Sequence, residues 1–246
     1  EKDITLDHTH FEITPLAMLG YCTSLVPYGN FTQPARLMIG SKNQKQALGL
    51  YVANHSLKMD MDVSILNTPQ RPVVQTAVHN IANYDAHPAG QNICVAIMSF
   101  KGYNMDDAII INKGSIERGM GRSTYFRIST AEELRYSGGL MDEIGVPDKE
   151  VKGYKTEKDY RFLEDDGIIF PEAQISEGDA IIGKTSPPRF LSGLDEYNLA
   201  SSTRRESSVS MAHGEAGLVD FVLLTENNEG NKLVQVRIRK EKIPEL

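Results

Sequence analysis

Two adjacent carboxylates are the sharpest local candidate for chemistry in this sequence. Asp106 and Asp107 end the turn-forming run 101–105 and stand directly before an apolar segment that begins at Ala108. Mg²⁺ prefers oxygen ligands and often takes only one or two carboxylates from a protein, while phosphates supply other ligands. The pair therefore fits a Mg²⁺ site, and it equally fits a surface turn whose acids are solvated or salt-bridged.

A second candidate lies in a stretch without carboxylates. No Asp or Glu occurs over 13–59, although the chain has 33 of them, and Arg36, Lys42 and Lys45 fall inside this stretch. A guanidinium suits bidentate contact with phosphate, so Arg36 fits a phosphate clamp as well as an ordinary surface arginine. A helix rich in Lys and Gln fits contact with a phosphate backbone, and it also fits a plain exposed helix.

Other motifs are excluded by their context. Cys22 and Cys94 are too few for a four-cysteine zinc site or a disulfide framework. The segment 178–185 ends in Gly-Lys-Thr like a phosphate-binding loop, but its interior is strand-like and Pro187 and Pro188 prevent a following helix. We therefore reject an ATPase interpretation.

Length and composition indicate a folded, soluble protein. The chain has 246 residues, of which 40% are hydrophobic and 24% are charged. No apolar run approaches the roughly 20 residues that span a bilayer, and we expect no signal peptide, since the first residues are charged and no apolar segment follows them. We expect a cytoplasmic location. Because the sequence does not begin with Met, we also expect a piece of a longer protein.

The net charge of −7 argues against nucleic-acid binding only when it is averaged over the chain. The segment 131–180 holds fourteen acids and six bases, a net charge of −8, so the remainder carries +1. This asymmetry suggests that one region meets an anion. The alternative is a neutral, partly buried segment with a few solvated cations.

Capping and turn residues predict two helices near the start of the chain. Thr14 and Pro15 begin the first, over 13–26, and Pro34 begins the second, which extends to Leu50. Strand-like runs follow at 92–100 and 108–112. After a soft boundary near residue 122 the pattern changes to short strands, including 125–129, 180–183, 217–224 and 232–239, the last two joined by a hairpin around 227–231.

Five segments, taken in order, resemble a known family. The segments 11–20, 34–49, 88–92, 102–108 and 178–184 are similar to the second-largest subunit of multisubunit DNA-directed RNA polymerase, called β in bacteria. The amino-acid sequence of these segments is most similar to the archaeal form. Within that form it is most similar to the shorter B′ polypeptide, which is found where the subunit is split.

The resemblance implies an α+β fold that is mostly β. Residues 1–122 would form N-terminal helices and part of a double-psi β-barrel that binds the RNA–DNA hybrid. Residues 123–236 would form the inserted wall, or flap, module. Residues 237–246 would be a return strand of the barrel, which stops before the Gly-Asp-Lys segment of the family.

The resemblance also implies roles for the basic helix. Arg36 would reach the triphosphate of the incoming nucleotide. Lys45 and Gln46 would lie near the RNA 3′ end or the hybrid backbone, and Lys42 belongs with them to the substrate- and nucleic-acid-binding set.

For the acidic turn, the resemblance implies a metal role. Asp107 would sit beside the second Mg²⁺, which arrives with the nucleotide, and Asp106 stands where the family usually has Glu. The aspartate triad that binds the catalytic Mg²⁺ belongs to the largest subunit. The fragment would carry no zinc, because the zinc-bearing clamp lies later in the family.

The implied function is nucleotidyl transfer within an assembly, with the chain inactive alone. Partners would be the largest polymerase subunit or subunits, the remaining part of the second-largest subunit, other polymerase subunits, template DNA, nascent RNA and NTPs, with no membrane. One alternative is a scaffold module that docks other subunits without touching substrate. Another is a stand-alone hydrolase using Asp106 and Asp107, which lacks a recognisable nucleophile–base pair.

Overall fold

The structure is a computed structural model that describes residues 5–188 and 204–245. The chain divides into two compact units. Unit 1 comprises 5–56, 64–123 and 243–245, and unit 2 comprises 57–63, 124–188 and 204–242. Strands hold more of the described residues than helices do, which confirms the prediction of an α+β, mostly β chain.

All α-helices of the described residues lie in unit 1, and they are short apart from the second. They are α1 (Tyr21–Ser24), α2 (Pro34–Lys45), α3 (Ala77–Ile81) and α4 (Lys113–Glu117). Short 3₁₀ helices occur at Pro15–Met18, Gly29–Phe31, His55–Leu57, Tyr84–Ala86, Ser137–Gly139 and Glu157–Tyr160. None of the helices in the described ranges is long and apolar enough to cross a membrane.

The strands are short except for three that build the main sheet. They are β1 (Val63–Leu66), β2 (Ser123–Glu132), β3 (Glu143–Ile144), β4 (Gln174–Ile175), β5 (Ala180–Ile182), β6 (Lys184–Ser186), β7 (Arg205–Glu206), β8 (Val209–Ser210), β9 (Gly217–Glu226) and β10 (Lys232–Lys242).

The single helix predicted over 13–26 is wrong. The chain instead forms the 3₁₀ turn Pro15–Met18 and then α1, because Leu19 and Gly20 between them are extended, with ψ of 146° and 160°. The predicted start is confirmed, since the Thr14 hydroxyl accepts a hydrogen bond from the Leu16 amide at 3.4 Å.

Helix α2 begins at Pro34 as predicted but ends at Lys45, five residues before the predicted end. The following segment leaves the helix for tertiary hydrogen bonds. The Leu50 amide donates to the Pro88 carbonyl at 3.0 Å, and the Gly49 carbonyl accepts from the Leu66 amide at 3.2 Å. A Cβ on Gly49 would lie 2.3 Å from the Cα of Ala89, so this approach requires glycine.

The strands predicted at 92–100 and 108–112 are also wrong. Both segments are irregular and exposed, as Ile97 (99% exposed) and Ile109 (82%) illustrate. A strand needs a neighbour that accepts and donates its backbone hydrogen bonds, and no neighbouring strand pairs with either segment within the described residues.

The strands predicted at 125–129, 217–224 and 232–239 are confirmed as β2, β9 and β10, which with β4 form the part of the main sheet in unit 2, in the order β2, β10, β9, β4. The strand predicted at 180–183 is confirmed as β5, which lies in a separate sheet. Strands β9 and β10 form the predicted antiparallel hairpin, with Lys232 opposite Glu226. The Asn227 side chain fixes the connection, because its oxygen accepts from the amides of Glu229 at 2.8 Å and Asn231 at 2.9 Å.

The core of unit 2 lies on one face of this hairpin. Val234, Val236 and Ile238 alternate along β10 and are almost completely buried. They pack in one cluster with Ala131, Ile168, Ile169, Ala173, Ile175, Ile181, Ile182, Met211 and Val219.

Lys184 of β6 forms a buried ion pair and connects the three-stranded sheet to β2. The order β3, β6, β7 forms a three-stranded sheet, and β5 pairs with β8. The Lys184 ammonium lies 2.6 Å from the Asp142 carboxylate, whose side chain is 1% exposed, and it also donates to the Glu132 carbonyl at 2.8 Å.

Removing core volume should destabilise unit 2. We expect Ile182→Ala to lower the free energy of unfolding by about 2–5 kcal/mol, since Ile182 has no exposed surface and its removal leaves a cavity. Chemical denaturation of the chain measures this. Leu224→Ala, at a 57% exposed position, is the matched control with an expected change within about 0.5 kcal/mol. Equal losses in both variants would contradict the assigned core.

The Asp142–Lys184 pair should make stability depend on acidic pH. Burial raises the pKa of the Asp142 carboxyl, but hydrogen bonds from Lys184, Ser186 and Tyr136 outweigh burial, so the pKa lies below its ordinary value. A carboxyl with a lowered pKa contributes stability above about pH 4, and this contribution is lost as the pH falls further.

Asp142→Asn should therefore cost about 3–5 kcal/mol at pH 7, because it leaves the ammonium of Lys184 without its carboxylate. The difference from the wild-type chain should shrink below about pH 4. Denaturant unfolding at a series of pH values measures it, and a difference that does not change between pH 7 and pH 3 would contradict the argument.

Candidate functional site

Helix α2 turns one face inward and leaves the other half exposed. Leu37, Gly40, Ser41 and Gln44 recur at three- and four-residue spacing and are partly or fully buried. The exposed half carries every residue of this helix region that the sequence assigns to a phosphate-binding role: Arg36, Lys42, Lys45 and Gln46.

A hydroxyl pair anchors the inward face of α2 to α1. The hydroxyl oxygens of Ser41 and Thr23 lie 2.8 Å apart, and Ser41 donates to the Leu37 carbonyl at 2.9 Å. Ser41 is the buried residue of α2. Because this polar contact fixes the rotation of α2 about its axis, it determines which side chains face outward.

The exposed cations of α2 have no carboxylate partner among the residues that the structure describes. Within residues 5–188 and 204–245, no ion pair involves Arg36, Lys42 or Lys45. The carboxylate-free stretch around them explains this. An approaching anion therefore displaces no internal partner when it contacts them, which favours phosphate binding.

The two candidate acids lie in an exposed turn with an uncommon backbone. Asp106 and Asp107 both have left-handed backbone conformations, with φ of 53° and 66°. Asp tolerates this region better than most residues, although two in succession are unusual. Both residues are exposed, as is the segment around them.

Asn104 holds the start of this turn. Its side-chain oxygen accepts from the Phe100 amide at 2.9 Å, and its side-chain nitrogen donates to the Met98 carbonyl at 2.6 Å. The run Gly-Tyr-Asn predicts a turn from sequence, but the side-chain contacts four and six residues back are visible only in the structure.

The structure does not join the two parts of the candidate site directly. No hydrogen bond or ion pair among the described residues connects Arg36 with Asp106 or Asp107. Surface cavities in unit 2 of about 310, 420 and 490 Å³ are lined by other residues. Convergence of the guanidinium and the carboxylates on one ligand therefore stays a prediction.

The acidic turn fits a shared Mg²⁺ rather than a complete metal site. In the part of the chain that the structure describes, no group of three or more His, Cys, Asp or Glu side chains is arranged to hold a metal. Asp106 and Asp107 supply oxygen ligands of the right chemistry but at most a part of an octahedral set. The remaining ligands must come from phosphates or from another chain.

Sequence reasoning missed three residues that position the candidate groups: Thr23, Ser41 and Asn104. Hydroxyl and amide side chains of this kind are common in any sequence, so their types carry no signal. The spacing of Leu37, Ser41 and Gln44 was the available indication that Ser41 faces inward.

Comparisons with known proteins identify a class and then a family. The chain is similar to parts of multisubunit RNA polymerases. Residues 22–246 match the family model described as RNA polymerase Rpb2, domain 6, and the chain belongs to this family.

The similar curated proteins are all much longer. The chain is 49% identical over 245 residues to DNA-directed RNA polymerase subunit Rpo2 of Sulfolobus acidocaldarius, covering 100% of this chain and 22% of that protein. The values are the same for Rpo2 of Saccharolobus solfataricus. DNA-directed RNA polymerase II subunit 2 of Arabidopsis thaliana is 39% identical over 248 residues, covering 100% of this chain and 20% of that protein. The chain thus spans about a fifth of the length of these relatives.

Loss of the hydroxyl pair should loosen α2. We expect Thr23→Val to destabilise unit 1 by about 1 kcal/mol and to speed hydrogen exchange of the α2 amides, because Ser41 loses one hydrogen bond. Hydrogen exchange measured by mass spectrometry tests this. Thr130→Val, at an exposed position of β2, is the control and should leave α2 unchanged. Equal α2 exchange in Thr23→Val and wild type would contradict the anchoring role.

Proposed function

We propose that this chain is part of the second-largest subunit of a DNA-directed RNA polymerase, where it helps bind the incoming NTP and the RNA–DNA hybrid and is inactive alone. The family match over 22–246 supports the assignment. The observation that carries the site is the exposed half of α2, whose cations have no carboxylate partner in the described residues.

Arg36 contacts the triphosphate of the incoming nucleotide. Arg36 is exposed in the first turn of α2. Within the described residues its guanidinium forms no ion pair that would have to break before it binds phosphate. A planar guanidinium donates two parallel hydrogen bonds to phosphate oxygens, which positions the nucleotide as well as attracting it.

Lys42, Lys45 and Gln46 contact the hybrid backbone or the region near the RNA 3′ end. Nine residues separate Arg36 from Lys45, which corresponds to about 13 Å along a helix. One helix can therefore contact the nucleotide near its start and the nucleic-acid backbone near its end. Lys42 and Lys45 also lie in the last turn, where cations stabilise the helix.

Asp107 shares a Mg²⁺ ion that arrives with the NTP, and Asp106 stands beside it. When bound, the ion neutralises charge on the phosphates. The carboxylate of Asp107 would help hold the ion beside the phosphates. Asp106 has one methylene fewer than the Glu of the family pattern, so it reaches less far.

The reaction is attack of the RNA 3′-hydroxyl on the α-phosphate of the NTP. The 3′-oxygen loses its proton to solvent and forms a phosphodiester bond with the α-phosphorus. The bond between that phosphorus and the oxygen of the leaving pyrophosphate breaks, and pyrophosphate leaves with the bonding electron pair. This chain contributes positioning and charge stabilisation, which dominate phosphoryl-type transfer. The catalytic metal ligands belong to the largest subunit.

The exposed apolar segments of unit 1 favour completion of a barrel by other parts of the assembly. Residues 93–100 and 108–111 include Ile97, Ile109 and Phe100, all at least half exposed. The proposed partners are the rest of the second-largest subunit, the largest subunit and other polymerase subunits. We assign 1–122 and 237–246 to a partial double-psi barrel and 123–236 to the wall module, in the cytoplasm.

A scaffold without substrate contact is the alternative, and the same exposed apolar segments favour it. It differs from the main proposal in one respect. A scaffold predicts that changes on the exposed half of α2 leave nucleotide kinetics unaltered in any polymerase that assembles.

Arg36→Ala in the assembled polymerase should lower kcat/KM for NTP by about 10- to 100-fold. The reason is the loss of hydrogen bonds between a charged donor and phosphate, worth about 1.5–3 kcal/mol. Single-nucleotide extension of an RNA primer on template DNA measures this. Arg36→Lys should recover only part of the loss, because an ammonium cannot make the bidentate contact.

Arg118→Ala is the matched control, since Arg118 is an exposed arginine of unit 1 outside α2. It should leave the extension kinetics unchanged. Wild-type kinetics for Arg36→Ala in a fully assembled enzyme would refute the nucleotide role and support the scaffold.

A further inference from the structure

We propose that Asn104 is a positioning residue for the Asp106–Asp107 turn. It acts on the backbone that presents the two carboxylates and does not itself touch substrate. This inference deepens the proposed function and rests on it, because it presumes that Asp107 shares the nucleotide-borne Mg²⁺.

The first argument is the bonding of the Asn104 amide. The Phe100 amide donates to its oxygen at 2.9 Å, and its nitrogen donates to the Met98 carbonyl at 2.6 Å. One side chain thus satisfies a backbone donor and a backbone acceptor two residues apart. These hydrogen bonds hold the segment that enters the turn, 98–100, close to Asn104. Asn104 lies two positions before Asp106.

The second argument is burial. Across 92–113, Asn104 is the half-buried residue and every other residue is exposed. The more apolar neighbours of Asn104 are exposed, whereas its polar side chain is half-buried. This indicates that hydrogen bonds of Asn104, and not hydrophobic packing, fix the local structure.

The third argument is the backbone conformation of the turn. Lys101, Gly102, Asp106 and Asp107 all have positive φ, between 50° and 77°. Three of these four are not glycine, so their backbone conformation is energetically unfavourable. The turn therefore needs other contacts that stabilise it. Backbone bonds contribute, as from the Ala108 amide to the Met105 carbonyl at 3.2 Å. Asn104 provides the side-chain bonds to backbone within the described residues 98–108.

Without Asn104 the turn should sample other conformations, and the carboxylate of Asp107 should lose its fixed direction. The consequence is specific. Binding of NTP should come to require more Mg²⁺. Assembly of the polymerase should be unaffected, because Asn104 bonds to backbone atoms and its loss leaves the apolar side chains of the flanking segments unchanged.

The test uses the assembled polymerase that contains the full-length subunit, with RNA ending in a 3′-deoxynucleotide so that no chemistry occurs. Equilibrium binding of the templated NTP is measured across a Mg²⁺ series for Asn104→Ala and Asn104→Asp. We expect Asn104→Ala to raise the Mg²⁺ concentration for half-maximal NTP binding at least fivefold. Asn104→Asp keeps the acceptor for the Phe100 amide and should be intermediate.

Asn227→Ala is the matched control. Its side chain also fixes a loop through two backbone hydrogen bonds, but in the hairpin of unit 2. It should bind NTP with wild-type Mg²⁺ dependence. Hydrogen exchange gives a second measurement, since the amides of 98–108 should exchange faster in Asn104→Ala and not in Asn227→Ala.

A double-mutant cycle with Asp107→Ala separates the possible failures. If Asn104 acts through Asp107, the double variant is no more impaired than Asp107→Ala alone. Wild-type Mg²⁺ dependence in Asn104→Ala, or independent effects that multiply, overturns the inference and leaves the proposed function standing. Wild-type behaviour of Asp107→Ala overturns the proposed metal role itself. Failure of both Asn104 variants to assemble shows a folding role and also overturns the inference.

Discussion

Burial of apolar side chains is concentrated in unit 2, and this imbalance governs the rest of the structure. Fifteen of the eighteen buried hydrophobic residues among those described belong to unit 2, while unit 1 has Leu25, Ile65 and Leu66. At about 1.5–3 kcal/mol for each large side chain, the difference is substantial. Unit 2 has a core that can sustain its sheet, whereas unit 1 relies on polar contacts such as the Thr23–Ser41 pair. Under the proposed function, other parts of the polymerase cover the exposed apolar segments of this unit.

Charge follows the same division. The described residues of unit 1 hold eight bases and seven acids, and those of unit 2 hold sixteen bases and twenty-two acids. In unit 2, important cations are neutralised internally, as when Arg237 and Arg239 both donate to Asp220 at 2.7 Å. The cations of α2 are not neutralised in this way. The negative net charge of the chain therefore comes mainly from unit 2, whose described residues carry −6, and it says little about the charge of α2.

The elements that local sequence determines were predictable. The β9–β10 hairpin has alternation along β10 and turn residues at its connection, so its register follows from neighbouring residues. The end of α2 and the segments 92–100 and 108–112 depend on distant partners. Leu50 leaves the helix to reach Pro88, and the apolar segments have no strand beside them in the described residues. The pattern of apolar residues indicates which side chains are favourable to bury. It does not indicate whether a neighbouring strand is present to pair with them.

The candidate site shows the same limit. The identities of Arg36 and Asp107 as candidates came from residue type and from family resemblance, and both occupy exposed positions where a ligand can reach them. Their common target is not fixed by any contact within the described residues. Asn104 had no sequence signal beyond its place in a turn, since its bonds to Phe100 and Met98 arise from the folded path of the chain.

The two halves of the candidate site are held by different physical means, and this bears on why the chain would be inactive alone. Helix α2 has a regular backbone and an inward face docked on α1, so its exposed side chains have defined directions without further support. The Asp106–Asp107 turn is a left-handed loop between exposed apolar segments and depends on a single amide for its side-chain contacts. Under the proposed function, covering those segments in the assembly immobilises the loop on both sides. The phosphate-facing side chains of α2 would then be placed without the assembly, while correct placement of the metal ligand would need both the Asn104 amide and the assembly.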